Sequence, residues 1–190
     1  MRVLLIDSND GRAAIVQQAL KDNGYTVVAR LPDCGQLSAQ VAEDKPDAII
    51  VDTDLPDRDA LESMRQVSQD NPRPIVLFTE RSDRHTISDA IKAGVSAYVV
   101  DGVDPKRLNT IMDVAIAQFR EFQAMRSELD EVKAKLADRR DVDKAKGILM
   151  QRKGLSEADA YAALRSMAMN NNQSIGEAAR SLIAAAQLLV

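Results

Sequence analysis

Two groups of residues in this 190-residue chain have the types and spacing to do chemistry. The first is basic. Arg139, Arg140, Lys144, Lys146, Arg152 and Lys153 fall within 139–153, where the only acids are Asp141 and Asp143, and Arg165 adds a cation downstream. Such an excess attracts a polyanion, because each neutralised phosphate releases condensed counterions. The second group is acidic: Asp7, Asp52 and Asp54, with Thr79 and Asp101, stand at or just beyond the ends of short apolar runs. Carboxylates and a hydroxyl in such places could hold a hard cation or handle a phosphoryl group. Plain readings stand beside both, since a charge run can be a solvated helix face and loop-end acids can cap helices or face water.

Other chemistry is excluded. The single cysteine, Cys34, makes no internal disulfide, and with one histidine, His85, far away, no zinc spacing can be written. No nucleophile with an adjacent base can be assembled, so no enzyme, metal or cofactor is expected. The opening run Arg2-Val3-Leu4-Leu5-Ile6 meets Asp7 too soon for a leader or a membrane span, and the expected location is the cytoplasm. The net charge of -4 argues against indiscriminate nucleic-acid binding. It is unevenly spread: residues 1–125 carry 14 basic and 20 acidic side chains, whereas 126–190 carry 11 and 9. The acidic part reads as a control region and the cation cluster as the place where a polyanion lands.

Positioning the acids requires a sheet. Strand-like runs at 2–6, 25–29, 48–52, 74–78 and 96–100 alternate with helical patterns at about 11–22, 34–44, 58–69 and 83–93. This alternation predicts an α/β, doubly wound (βα)5 domain over 1–120, with its site outside the carboxyl ends of the strands. Asp10 is placed to cap the first helix and Gly24 to stop it, and Asp104-Pro105 reads as an N-cap and N1 pair opening a further helix.

Positioning the cations requires helices. Leu108, Ile111, Ala115, Phe122, Met125, Leu129, Val132 and Leu136 follow alternating three and four spacings, broken at Gln118. The pattern predicts a linker helix over 108–136, its first turns packed on the sheet and the rest a homodimeric coiled coil that ends or turns away near Leu136 to Asp138. A three-helix bundle follows over 137–190. Val142, Ala145, Ile148 and Leu149 form its first apolar stripe, with Gly147 opposite. Lys153-Gly154 ends that helix, Ser156 with Asp159 caps the second, and Ser174 with Glu177 caps the third. Tyr161, Leu164, Met167 and Ala168 are expected to face inward, although Tyr161 could instead stack on a base.

The string Ala145-Lys146-Gly147-Ile148-Leu149-Met150, followed by Ala160-Tyr161, Leu164-Arg165, Ala168, Ala178-Ala179 and Ile183, resembles the ANTAR domain of AmiR-like and NasR-like antiterminators over about 136–185. The resemblance implies binding of paired hairpins in leader transcripts, through Arg139, Arg140, Lys144, Lys146, Gly147, Arg152, Lys153 and Arg165, with Lys146 foremost. The first 120 residues resemble the response-regulator receiver: Asp52, before Leu55-Pro56, stands at the phosphoacceptor position, Thr79 at the switch hydroxyl, and Asp7 and Asp54 in the acidic pocket. Two departures matter. Asp7-Ser8 replaces the adjacent acids that hold magnesium, and Asp101 stands where a receiver has its lysine, adding repulsion where an acyl phosphate needs neutralising. The first domain is therefore read as a pseudo-receiver, a platform for a protein partner; a receiver phosphorylated on Asp52 is the rival.

Val51-Asp52-Thr53, Arg73-Pro74-Ile75-Val76 and Ala93-Gly94-Val95-Ser96-Ala97-Tyr98, with the missing lysine, resemble the NasT type. That likeness implies control of nitrate and nitrite assimilation genes through capture by a nitrate/nitrite-sensing, NasS-like inhibitory protein. Three function classes stay open: RNA antitermination, phosphorylation-controlled DNA binding by the bundle, and protein docking without nucleic acid.

Overall fold

The computed structural model describes residues 1–81 and 83–187, so the last three residues of the expected 137–190 bundle lie outside the described residues. The chain divides into two compact units, Met1–Gln123 and Ala124–Val190.

In the first unit β1 (Arg2–Asp7), β2 (Thr26–Leu31), β3 (Ala48–Thr53), β4 (Ile75–Thr79) and β5 (Ala97–Val100) form one parallel sheet in the order β2-β1-β3-β4-β5. Between them run α1 (Asp10–Asp22), α2 (Leu37–Asp44), α3 (Arg58–Asp70) and α4 (Arg84–Lys92), and α5 (Leu108–Lys153) follows β5. The strands alternate between two cores: Leu4, Ile6, Ile49, Val51, Ile75 and Leu77 pack beneath α2, α3 and α4, while Val3, Leu5, Ala48, Ile50, Val76 and Phe78 pack against α1 and the first turns of α5. A strand buried on both faces must be apolar throughout, which is why these runs lack a polar alternation. Strand order reverses between β1 and β3, and the register there sets Asp7 directly beside Asp52.

Several element ends differ from the sequence reading. Asn9, not Asp10, caps α1: its Oδ1 accepts from the Arg12 backbone N–H at 3.0 Å, while Asp10 sits in the first turn and pairs with Arg30 at 2.7 Å. The capping oxygen must come from a residue with extended backbone just outside the helix, which Asn9 has. The helix expected at Asp104-Pro105 begins at Leu108; residues 104–107 form a turn in which Asp104 accepts from the Lys106 N–H. Leu108, Met112 and Ala115 are fully buried, so the helix starts where the chain meets the sheet.

The linker helix expected over 108–136 does not stop there but continues into the first helix of the expected bundle. α5 runs unbroken for 46 residues, which its sequence permits, since no glycine or proline stands between Leu108 and Gly147.

In the second unit the last part of α5 packs with α6 (Glu157–Asn170) and α7 (Ile175–Gln187) around Ala145, Leu149, Ala160, Leu164, Ala168, Ala178 and Ala179. Gly154, at φ 65°, ends α5. Ser156 caps α6, and Ser174 and Glu177 close a reciprocal box at α7, the Ser174 N–H donating to Glu177 at 2.7 Å and the Glu177 N–H to Ser174 at 3.2 Å. Gly176 is buried against Asp138, and a Cβ there would collide with that carboxylate. Tyr161 departs from expectation: α6 buries Ala160, Leu164 and Ala168, which turns the neighbouring tyrosine outward, 46% exposed. Among the described residues no helix is long and apolar enough to cross a membrane.

Candidate functional site

The acidic pocket lies at the carboxyl ends of β1, β3 and β4, where the reversal of strand order opens a crevice. Asp7, Asp52 and Thr79 are all buried. What the sequence reading missed is that the pocket contains an arginine. Arg12, in the first turn of α1, forks onto Asp7 through Nη2 to Oδ1 at 3.1 Å and Nε to Oδ2 at 3.2 Å. Its Nη1 reaches Asp54 at 3.1 Å and lies 3.6 Å from Glu80, and its Nη2 donates to the Asp52 carbonyl at 3.4 Å.

Asp7 is well supplied, because it also accepts the Asn9 N–H at 2.8 Å. Asp52 is not. Its Oδ2 lies 3.3 Å from Arg12 Nε, but that N–H points at Asp7, and both buried carboxylate oxygens of Asp52 lack a hydrogen bond among the described residues. Burial raises the Asp52 carboxyl to about 6, Arg12 opposing the rise and Asp7, Glu80 and Asp54 adding to it. Asp7, with Asp54 and Asp52, raises the proton affinity of Arg12 further above its already high value, so the guanidinium is permanently charged.

The other expected pocket residues are less engaged. The Thr79 hydroxyl donates to the Arg81 carbonyl at 2.9 Å, with the Tyr98 hydroxyl 3.4 Å away. Asp101 is exposed, at φ 73°. At the Asp52 carboxyl itself the like-charge contributions come from Asp7, Glu80 and Asp54. The magnesium ion that a receiver fold implies does not fit these residues: no cluster of three or more potential ligands among the described residues is arranged to hold a metal, and Arg12 stands between the carboxylates. Cys34 is buried, and burial with nearby Asp33 and Asp57 pushes its thiol up to about 12, so it stays protonated. His85 is exposed at the start of α4, with Nδ1 3.0 Å from Asp89.

The basic residues separate into two kinds. Lys146 is held: its side chain, 16% exposed, lies 2.8 Å from both Asp143 and Glu157, tying the entry of α6 to α5. Those two acids raise its proton affinity. Arg152 donates to the Ala186 carbonyl at 3.0 Å, satisfying a carbonyl of the last turn of α7. Arg139, Arg140, Lys144, Lys153 and Arg165 are exposed and make no ion pair or side-chain hydrogen bond among the described residues. At 100° per residue, Arg140, Lys144 and Gly147 fall on the side of α5 opposite the buried Ala145 and Leu149, and a Cβ at Gly147 would meet nothing within 4 Å. The glycine is therefore not demanded by packing, and it leaves backbone open beside two unpaired cations.

The profile described as the response regulator receiver domain matches residues 3–113. This chain belongs to that family. The ANTAR domain profile matches residues 130–183, so the chain is a receiver-type response regulator with an ANTAR domain.

Among relatives, the transcriptional regulatory protein PdtaR of Mycobacterium tuberculosis is 29% identical over 183 residues, 96% of this chain and 89% of its own length. The nitrate regulatory protein of Klebsiella oxytoca is 41% identical over 66 residues, 35% of this chain and 17% of its own. Of solved structures, the LuxR-family response regulator from Aurantimonas is similar at 28% identity and TM-score 0.55, over 61% of this chain and 84% of that one. The receiver domain of a diguanylate cyclase from Desulfovibrio desulfuricans shares the fold at 22% identity and TM-score 0.56, over 63% of this chain and 95% of that one.

Proposed function

We propose that this response regulator is an RNA-binding transcription antiterminator that grips paired hairpins in a leader transcript and keeps a terminator from forming. The observation that carries the reading is the outward face of α5 inside the ANTAR match, where Arg140 and Lys144, without an ion pair among the described residues, stand beside the open backbone of Gly147, with exposed Arg139 on the flank. Hairpin loops present splayed bases and phosphates, which such a face can meet with charge, hydrogen bonds and a close backbone approach. Lys153 and Arg165 extend the cationic surface, and exposed Tyr161 offers an aromatic ring for stacking. Lys146 acts chiefly by holding α5 to α6, so that the face keeps its shape.

The paired target calls for a paired protein. Met125, Leu129, Val132 and Leu136, each about half exposed, form an apolar seam at three and four spacing along α5. A second copy of the same helix is the partner that such a seam fits, giving a coiled-coil homodimer.

Control comes from a protein partner rather than from phosphate. The regulator is of the NasT type and serves nitrate and nitrite assimilation genes, held inactive by a NasS-like nitrate/nitrite-sensing protein and released when that sensor binds its ligand. The name of the Klebsiella relative and the motifs around Asp52 and Ala93 to Tyr98 support this, together with an acidic pocket that already contains a cation. The direct test is transcription in vitro through a leader carrying two hairpins and a terminator. Added protein is expected to raise read-through, and deleting one hairpin to abolish the effect; read-through unchanged by the protein would contradict the proposal.

A further inference from the structure

We propose that Arg12 is the resident cation of the acidic pocket, its guanidinium taking the place that a divalent metal holds in a receiver, so that the pocket supplies its own counter-charge. The inference deepens the phosphate-independent control proposed above and does not depend on the RNA target.

The geometry supports it at each contact. Arg12 bridges three strand ends: Asp7 at the end of β1, Asp52 and Asp54 around the end of β3, and Glu80 after β4, at distances of 3.1 to 3.6 Å. The Asp7 pairing is two-pronged, an arrangement for which a planar fork is suited and an ammonium is not. The position of Arg12 is fixed from below, because its own backbone N–H is the one that caps on Asn9. A divalent ion entering this pocket would have to break the Asp7 fork and then sit beside the displaced positive charge. It would also find Ser8 where a second carboxylate would be needed. Guanidinium does not lose its proton, so no change of pH near neutrality vacates the place.

The experiment titrates the full-length protein with Mn2+, following bound metal by electron paramagnetic resonance and thermal unfolding against a KCl control of equal ionic strength. The wild type is expected to show no saturable site and no rise in Tm. Arg12→Ala is expected to unfold at lower temperature and to gain a saturable Mn2+ site that restores part of the lost Tm. Adding Asp7→Asn should remove that site again, locating it in the pocket. Methylguanidinium should raise the Tm of Arg12→Ala but not of the wild type, which lost helix packing alone would not give. Arg12→Gln, which keeps much of the stem, replaces the alanine variant if that one does not fold. A saturable Mn2+ site in the wild type that Asp7→Asn abolishes would overturn the proposal, as would an arginine-less variant that gains neither metal nor guanidinium response. RNA affinity of the wild type, measured on the same sample, reports separately: its absence would sink the antiterminator reading and leave Arg12 untouched.

Discussion

At the scale of single residues, the acidic pocket shows what a sequence can and cannot disclose. Asp7, Asp52 and Thr79 were readable because each ends an apolar strand, and strand ends in a doubly wound sheet converge. Arg12 and Glu80 were not, because their meeting depends on α1 and the β4 loop folding over one crevice; the local clue was an arginine five residues after Asp7. The ion pairs of Lys146 were hidden for a similar reason, since its partner Glu157 lies across a turn on the next helix. Asp52 gives a pH test. Its carboxyl is at about 6 when folded against 3.8 as the ordinary value, because burial among Asp7, Asp54 and Glu80 outweighs Arg12. Folding thus binds a proton between those values, and the Asp52 contribution to stability falls as pH rises through this window and stays lowered above it. Asp52→Asn is expected to stabilise the protein by about 1–3 kcal/mol at pH 7.5, the gain fading below pH 6 and vanishing near pH 4. Urea midpoints at several pH values check this, and a gain of equal size at every pH would contradict it.

At the scale of elements, α5 decides most. The heptad spacing of its apolar residues was legible, as was burial of its first turns against the sheet, but its continuity was not. A change of apolar stripe near Leu136 looks like the end of a helix in sequence; in the structure the stripe simply moves to Val142, Ala145 and Leu149 with no change of backbone. Tyr161 was misassigned by one position for the related reason that Ala160 is small enough to be the buried residue of that turn. Two expectations belong here. Leu129→Asp places a charge on the seam and should shift the protein from dimer to monomer in analytical ultracentrifugation; an unchanged mass would remove the seam from the dimer. Gly147→Ala should raise stability by about 0.5–1 kcal/mol, since its Cβ meets open space in mid-helix. If RNA approaches the backbone there, the same variant should bind hairpin RNA at least several-fold more weakly, a stability gain coupled to a functional loss that a merely exposed glycine would not show.

At the scale of the molecule, the uneven charge of the sequence maps onto two differently built units. The receiver sheet sets an arginine against buried Asp7 and Asp52 and exposed Asp54 and Glu80, and the ANTAR match carries cations with no ion pair among the described residues on the outward side of a helix. A pocket already holding a cation suits a protein-binding platform, and a face so charged suits a polyanion. The measurement that tests this account most directly is equilibrium binding of the full-length protein to a two-hairpin leader RNA, a one-hairpin RNA and duplex DNA over a range of salt, with Arg140→Ala and Lys144→Ala alongside. The account expects preference for the paired hairpins, and a log–log salt slope that drops by about one for each cation removed if each contacts a phosphate. Equal affinity for duplex DNA, or hairpin binding unchanged in strength and slope by both substitutions, would contradict it.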